Sequence, residues 1–222
     1  MKAAAQTEYR ATFREYVEVI YELEEAEIDT IQARIADWLG VSRPSVSEMV
    51  HRMEAEGLVT TDGSIRLTDA GRHLAEVVVR RHRLSERFLV EVLKLPWRKV
   101  HQEAEIWEQF ISDDVEAAMW AALNDPKTCP HGNPIPGAGY VPPRMISVQA
   151  LSTGQSAPLE RISEEVELDL ELMDFLDGKG IRPGAVLERL LDSKDMVSVS
   201  VDGRQPVSLD PFAAARLFVA VS

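Results

Sequence analysis

A single cysteine, Cys129, stands in the 222 residues, so no internal disulfide can form. The chain also lacks any apolar run near the roughly 18 residues that a membrane-spanning helix needs. Its first residues, Met1-Lys2-Ala3-Ala4-Ala5-Gln6-Thr7-Glu8, hold none of the apolar stretch of a signal peptide. These absences point to a reduced, cytoplasmic protein without a membrane partner. Basic residues are in the minority: 24 Lys and Arg against 37 Asp and Glu, a formal net charge of −13. That sign repels phosphates and argues against nucleic acid as a partner, unless one face is locally basic. It also suits a protein whose clustered carboxylates take divalent cations. A hydrophobic content of 45% is that of a folded globular chain.

What the chain does have is imidazole and carboxylate at helical spacing. His101, Glu105 and Glu108 fall at i, i+4 and i+7, one stripe of a helix, with Gln109 beside it. The stripe is too polar for a core face and holds no Lys or Arg to neutralise it. Such ligands suit manganese, iron or zinc. His82 and Glu86 form an i, i+4 pair, and Glu15 and Glu18 an i, i+3 pair. Acidic residues on a helix are usually just solvated, and a lone histidine is usually structural. Three pairs with ligand spacing in one chain shift the balance towards a metal.

Periodicity organises the rest. Residues 9 to 26 read as a helix with Phe13, Val17, Ile20 and Leu23 on its apolar side, and 30 to 39 as a short amphipathic helix stopped by Gly40. Ser42 caps a third helix that tolerates Pro44 in its first turn. Leu58 to Thr61, a turn at Asp62-Gly63, and Ser64 to Leu67 read as a β-hairpin. This is the plan of a winged helix-turn-helix, with 42 to 52 as the recognition helix. A long helix follows over 69 to 93, then one or two helices over 97 to 123. The Pro/Gly-rich segment 125 to 144 reads as a boundary or linker. From 145 the period becomes two, in Ile146 to Leu151, Val197 to Val201, Pro206 to Leu209 and Leu217 to Val221, with one acidic helix at about 164 to 177. A mostly α chain ending in a small β-barrel is expected, divided at 1–70, 71–143 and 144–222.

Several motifs, taken in order, carry a resemblance that spans nearly the whole chain. They are Val19-Ile20-Tyr21-Glu22-Leu23-Glu24-Glu25, Met53-Glu54-Ala55-Glu56-Gly57-Leu58-Val59, Leu67-Thr68-Asp69-Ala70-Gly71 and Arg81-His82-Arg83-Leu84-Ser85-Glu86-Arg87. Val100-His101-Gln102-Glu103-Ala104-Glu105-Ile106-Trp107-Glu108 and the specific Cys129-Pro130-His131-Gly132-Asn133-Pro134-Ile135-Pro136-Gly137 complete the set. The chain resembles the diphtheria-toxin-repressor family of iron- and manganese-dependent transcription regulators, and its C-terminal region resembles the SH3-like third domain of the longer members.

The resemblance implies a homodimer that binds a double-stranded DNA operator in response to metal and represses metal-uptake genes. It implies metal ligands at Glu15, Glu18, His82, Glu86, His101, Glu105, Glu108 and Gln109, with Glu171 from the third domain and Glu167 as its i, i+4 neighbour. Gln109 departs from the family's usual histidine, and an amide oxygen is the weaker ligand for a borderline cation. Glu105 and Glu15 stand where iron regulators carry sulfur. With Cys129 placed in a loop, the set lacks sulfur, and carboxylates in its stead favour Mn2+, with Fe2+ as the alternative. On DNA, the resemblance implies base or phosphate contacts from Ser42, Arg43, Pro44, Ser47 and Glu48, and phosphate contacts from Arg34, Arg52 and Arg66. Glu48 departs from the glutamine of the diphtheria-type protein, so the operator does not carry over. No nucleophile or separate general base stands out, so no catalytic residue is expected and the chain reads as a regulator rather than an enzyme. The rival readings are a metal-dependent hydrolase and a metal-binding interaction protein.

Overall fold

Two compact units, residues 1–81 and 82–222, make up the computed structural model. It describes residues 2–191 and 195–221, with side chains from Phe13 onward.

The first unit opens with helix α1 (Lys2–Glu25), which starts earlier than its apolar spacing implies. Phe13, Val17, Ile20 and Leu23 recur at three- and four-residue intervals and are all buried, which fixes one face of α1 as core. Helix α2 (Gln32–Leu39) stops at Gly40, whose φ of 64° is the left-handed C-cap that a Cβ would strain. Helix α3 (Arg43–Ala55) starts at Ser42, whose hydroxyl accepts the Ser45 N–H at 3.3 Å, and takes Pro44 in its first turn. Val46, Met49, Val50 and Met53 face inward. Strands β1 (Val59–Thr60) and β2 (Arg66–Leu67) pair antiparallel, Val59 opposite Leu67. Helix α4 (Asp69–Glu91) follows and runs into the second unit. Gly71 is required near its start: a Cβ there would lie 1.9 Å from the Leu58 carbonyl oxygen.

In the second unit, the later part of α4 is followed by a 3-10 turn (Trp97–Lys99), α5 (Val100–Trp107) and α6 (Asp113–Ala122). Ser112 caps α6, accepting the Val115 N–H at 3.4 Å. Beyond the loop come β3 (Met145–Ser147), a 3-10 turn (Val148–Ala150), β4 (Ser156–Ile162), α7 (Glu164–Glu167), α8 (Leu170–Lys179), β5 (Val186–Arg189), β6 (Val197–Val201), β7 (Val207–Leu209), α9 (Pro211–Arg216) and β8 (Leu217–Ala220). The strands form one antiparallel sheet of order β3-β8-β4-β5-β6-β7. Its core gathers Leu159, Leu187, Val199, Leu217 and Val219 with Met173 and Leu176 of α8, and Trp97 joins it.

Four expectations change here. No ladder joins β3 to β7 among the described residues, so the expected barrel is an open six-stranded sheet. The strand read over 146 to 151 is cut short, because Val148 turns into a 3-10 helix capped by Ser147. The acidic helix is broken in two, since Asp169 caps α8 through its carboxylate, which accepts from the Glu171 and Leu172 N–H groups. The segment 125 to 144 is a folded loop rather than a plain linker. Cys129, His131, Asn133, Ile135 and Ala138 are all buried in it. The Ile162 N–H donates to the His131 carbonyl at 2.9 Å. A Cβ on Gly132 (φ +92°) would sit 1.9 Å from the Glu160 carbonyl oxygen, where the β4 register shifts at a bulge.

Candidate metal centre and nucleic-acid face

Helix α4 presents five consecutive buried residues, His82 to Glu86. Because His82 and Glu86 are one turn apart, their side chains converge, with His82 Nε2 3.5 Å from Glu86 Oε1. Helix α5 supplies His101, and Glu108 follows at its C-cap. His82 Nδ1 meets Glu108 Oε2 at 2.8 Å, and His82 Nε2 meets His101 Nδ1 at 3.1 Å. Two facing ring nitrogens at that distance form a hydrogen bond only if one is unprotonated.

The loop and α7 complete the cluster. His131 Nδ1 lies 3.4 Å from Glu86 Oε1 and 2.7 Å from Glu167 Oε2. His101 Nδ1 lies 3.7 Å from Glu86 and 3.6 Å from Glu167. Cys129 Sγ is 3.9 Å from His131 Nδ1 and accepts the His131 backbone N–H at 3.3 Å. Among the described residues of the second unit, three sets of donor atoms come within 4.8 Å of one another: His82, His101 and Glu164; Glu86, His101 and Glu167; Glu86, Cys129 and His131.

Surrounding groups hold these in place. Arg83, fully buried, donates to Glu164 Oε1 at 2.9 Å and to the Pro134 carbonyl at 2.6 Å. The Asn133 amide donates to the Ile162 carbonyl at 3.0 Å and to Glu167 Oε1 at 2.9 Å. Arg87 Nη1 reaches the Thr128 and Cys129 carbonyls at 3.4 and 3.3 Å.

The electrostatics are those of a crowded ion cluster. Burial pushes the Glu86 carboxyl up, but the His131 charge and the nearby nitrogens of His101, His131 and His82 hold it well below the usual range. Burial lowers His82 and His131, and their glutamate neighbours outweigh it, raising both well above an ordinary imidazole. His101 is pushed up to about 10 against its own burial, by hydrogen bonds with Glu167 and Glu86. Burial, then the Glu164 and Glu86 charges, raise Glu167 to about 8. Burial and the Glu86 charge raise the Cys129 thiol to about 12. Both carboxylate oxygens of Glu86 are buried without a hydrogen-bond partner. A carboxylate so placed is costly unless its lone pairs are used. Nitrogen, oxygen and sulfur donors converging on it fit a borderline divalent cation.

Of the ligand candidates from the sequence, His82, Glu86, His101, Glu108 and Glu167 come together. Glu105 is exposed, its Oε1 3.7 Å from His101 Nε2. Gln109 is exposed and donates its amide to the Glu105 carbonyl at 3.1 Å. Glu171 is exposed on α8. On α1 of the other unit, Glu15 is exposed and Glu18 half-buried. Sequence reasoning missed Cys129, His131 and Glu164 as donors. Their signals were a Cys-x-His pair in the loop and an i, i+3 spacing of Glu164 to Glu167. The sequence reading left sulfur out because Cys129 lies in the loop; the structure brings that loop's Cys129 Sγ beside Glu86 and His131.

In the first unit, Ser42, Arg43, Pro44 and Glu48 are exposed on the N-terminal part of α3, and Ser47 is half-buried. Arg34 on α2 and Arg66 on β2 are exposed. Arg52 is half-buried, its guanidinium 5.8 Å from the centre of the Phe13 ring.

Residues 10–64 match the family model for the N-terminal DNA-binding domain of iron-dependent repressors, and residues 68–137 match the model for their metal-binding and dimerisation domain. The iron-dependent repressor IdeR of Mycobacterium tuberculosis is 38% identical over 207 residues, covering 87% of this chain and 90% of its own. The diphtheria toxin repressor of Corynebacterium diphtheriae is 36% identical over 209 residues, covering 89% and 92%. A solved manganese-dependent transcriptional repressor in complex with manganese superposes with a TM-score of 0.86 at 34% identity, covering 95% of this chain and all of that one. No helix among the described residues is long and apolar enough to cross a membrane.

Proposed function

The chain belongs to the iron-dependent repressor family of metal-dependent, DNA-binding transcriptional regulators, and on that premise we propose that it is a manganese-gated repressor of metal-uptake genes. The observation that carries the metal reading is Glu86, a fully buried carboxylate with no hydrogen-bond partner, facing the nitrogens of His82, His101 and His131. In this reading His82, Glu86, His101 and Glu167 form one ligand set, which Glu164, Cys129 and His131 extend. Glu15, Glu18, Glu105, Glu108 and Gln109 form the activating set, on the strength of the family resemblance. Glu171 stands as the alternative to Glu167 for the ligand from the third domain.

A bound divalent cation supplies positive charge and coordination to groups that otherwise repel one another. Glu15 and Glu18 place α1, and the helix-turn-helix that packs on it, under the control of that coordination. A two-fold dimer reads successive major grooves only with its recognition helices about 34 Å apart, so restricting α1 selects the DNA-competent state from an ensemble. The N-terminal part of α3, with Ser42, Arg43, Pro44, Ser47 and Glu48, meets the operator, and Arg34, Arg52 and Arg66 meet its phosphates. Ile106, Phe110 and Val115, exposed at 56%, 80% and 47%, provide the apolar surface of a homodimer. The protein works in the cytoplasm as three domains, 1–70, 71–143 and 144–222, the last a relative of the SH3-like third domain of longer family members.

Ferrous iron is the second reading, favoured by the Cys129 sulfur beside Glu86 and His131. The test is fluorescence anisotropy of labelled DNA from upstream of its own gene and of neighbouring metal-transporter genes, with chelator-stripped protein titrated with Mn2+, anaerobic Fe2+ or Mg2+. Tight binding with Mn2+ at lower concentration than Fe2+, and none with Mg2+, is expected. Equal DNA binding with and without chelator would overturn the metal gate.

A further inference from the structure

We propose that Trp97 is a positioning residue for the His131 imidazole, its indole taking the place of the hydrogen bond that normally orients a metal-ligating histidine. This inference rests on the metal reading of the cluster given above.

A histidine that binds metal through one nitrogen almost always donates the other N–H to a carboxylate, carbonyl or water, which fixes the ring. His101 and His82 have polar groups at their rings. His131 departs from this. Its Nδ1 faces Glu86 and Glu167, whereas its Nε2 is buried with no hydrogen-bond partner. The backbone of His131 is pinned, since its carbonyl accepts the Ile162 N–H and its own N–H donates to Cys129 Sγ. Rotation about the side-chain bonds is the freedom that remains, and nothing polar at Nε2 restrains it.

The Trp97 ring lies 4.8 Å from the His131 ring, centroid to centroid, at an interplanar angle of 41°. That is a direct aromatic contact within the usual range. Trp97 is itself fixed. It is 5% exposed and belongs to the apolar core of the sheet. The Arg182 guanidinium lies 5.2 Å from the indole centroid and is held in turn by Asp177. The Trp97 carbonyl accepts the Val100 N–H in the turn that opens α5, the helix carrying His101. The Trp97 side chain therefore touches the His131 ring and the sheet core, while its backbone holds the start of the His101 helix.

The experiment uses the full-length, chelator-stripped chain titrated with Co2+, whose visible absorption reports its ligand geometry. Trp97→Leu, Trp97→Phe, His131→Ala and the Trp97→Leu/His131→Ala double variant are compared with the unaltered protein. Trp97→Leu is expected to weaken Co2+ binding by about 10- to 100-fold and to shift the absorption bands, as loss of an orienting partner does. Trp97→Phe, which keeps a ring face, is expected to restore most of the affinity and the original spectrum. With His131 already removed, Trp97→Leu is expected to cost nothing further, the signature of two residues acting as one. The proposal is overturned if Trp97→Leu leaves affinity and spectrum unchanged, if Phe serves no better than Leu, or if the Leu variant costs as much without His131 as with it. Loss of fold in Trp97→Leu would show as a lower melting temperature in the metal-free protein, and the Trp97→Phe and His131→Ala comparison then decides. Full binding by His131→Ala overturns this inference alone, whereas no Co2+ binding by the unaltered chain overturns the metal reading and this inference with it.

Discussion

Each of the two units has an interior of different chemistry. The core of the first, from Phe13 through Val17, Ile20, Ile35, Val46, Val50, Met53 and Val59 to Ala75, is apolar, and among its described residues only Glu22 and Thr30 are buried polar side chains. The second unit buries His82, Arg83, Glu86, His101, Glu108, His131, Asn133, Glu164 and Glu167 in one region beside its apolar clusters. An apolar core holds few groups that titrate or take up cations, so the packing of the unit with the helix-turn-helix is less tied to protons and metal. A buried ion cluster changes with every proton or cation it takes. The reading head is built as a constant and the sensing part as a variable.

The largest expected break in that contrast is Arg83→Ala. It leaves Glu164 in the interior without its guanidinium partner, and should cost about 3–5 kcal/mol of stability in denaturant titrations. Arg83→Met combined with Glu164→Leu should recover most of that loss, since a paired removal leaves no orphan charge. Met53→Ala in the first unit should cost about 2–5 kcal/mol through its cavity. It should leave the affinity for Mn2+, measured by calorimetry, within about twofold of the parent, as expected for a site outside the network.

Next in size is the ligand shell. Glu86→Gln should weaken Mn2+ binding at least about tenfold, more than loss of an outer partner alone at the low end. Glu167→Gln should follow it, and Glu171→Ala should have the smaller effect because Glu171 is exposed while Glu167 is buried among the histidines. Equal losses from both would bring Glu171 into the shell.

The remaining effect is that of pH. His101 has a folded value near 10, above its unfolded value of about 6.5. Its contribution to the metal-free protein is therefore full below the unfolded value and fades as pH rises through about 10. Glu167, raised to about 8, works against folding increasingly as pH rises from its unfolded value towards 8. The metal-free chain should thus lose stability in urea titrations as pH rises from 6 to 9, while Mn2+ affinity rises over the same range because ligands give up protons to bind. A flat affinity between those limits would place the bound ion away from His101 and Glu167.

Much of this was legible in the residues before the fold was. Amphipathic spacing marked α1 to α4, and the Ser42 cap and Gly40 stop marked the turn of the helix-turn-helix. Donors on helices were legible for the same reason: the 3.6-residue repeat puts His82 with Glu86, and His101 with Glu108, on common faces. Strand β4 was hidden because Pro158 and a bulge at Glu160 interrupt its alternation. The loop from 125 to 144 has the composition of a linker, and its burial comes from a strand it meets only later in the chain. No local period could have announced Cys129 and His131 as donors, and the open sheet follows from β3 ending after three residues.

Gly132 has a consequence for how the protein comes to be made. The loop bearing Cys129 and His131 is seated on β4 by that one glycine and by the Ile162 N–H, and Glu164 and Glu167 follow directly after β4. A chain emerging from the ribosome folds from its N-terminus. His82, Glu86 and His101 are therefore all synthesised before the strand that gathers the remaining donors exists. The growing chain completes its DNA-reading helices early and its buried donor cluster late, only once β4 has been made.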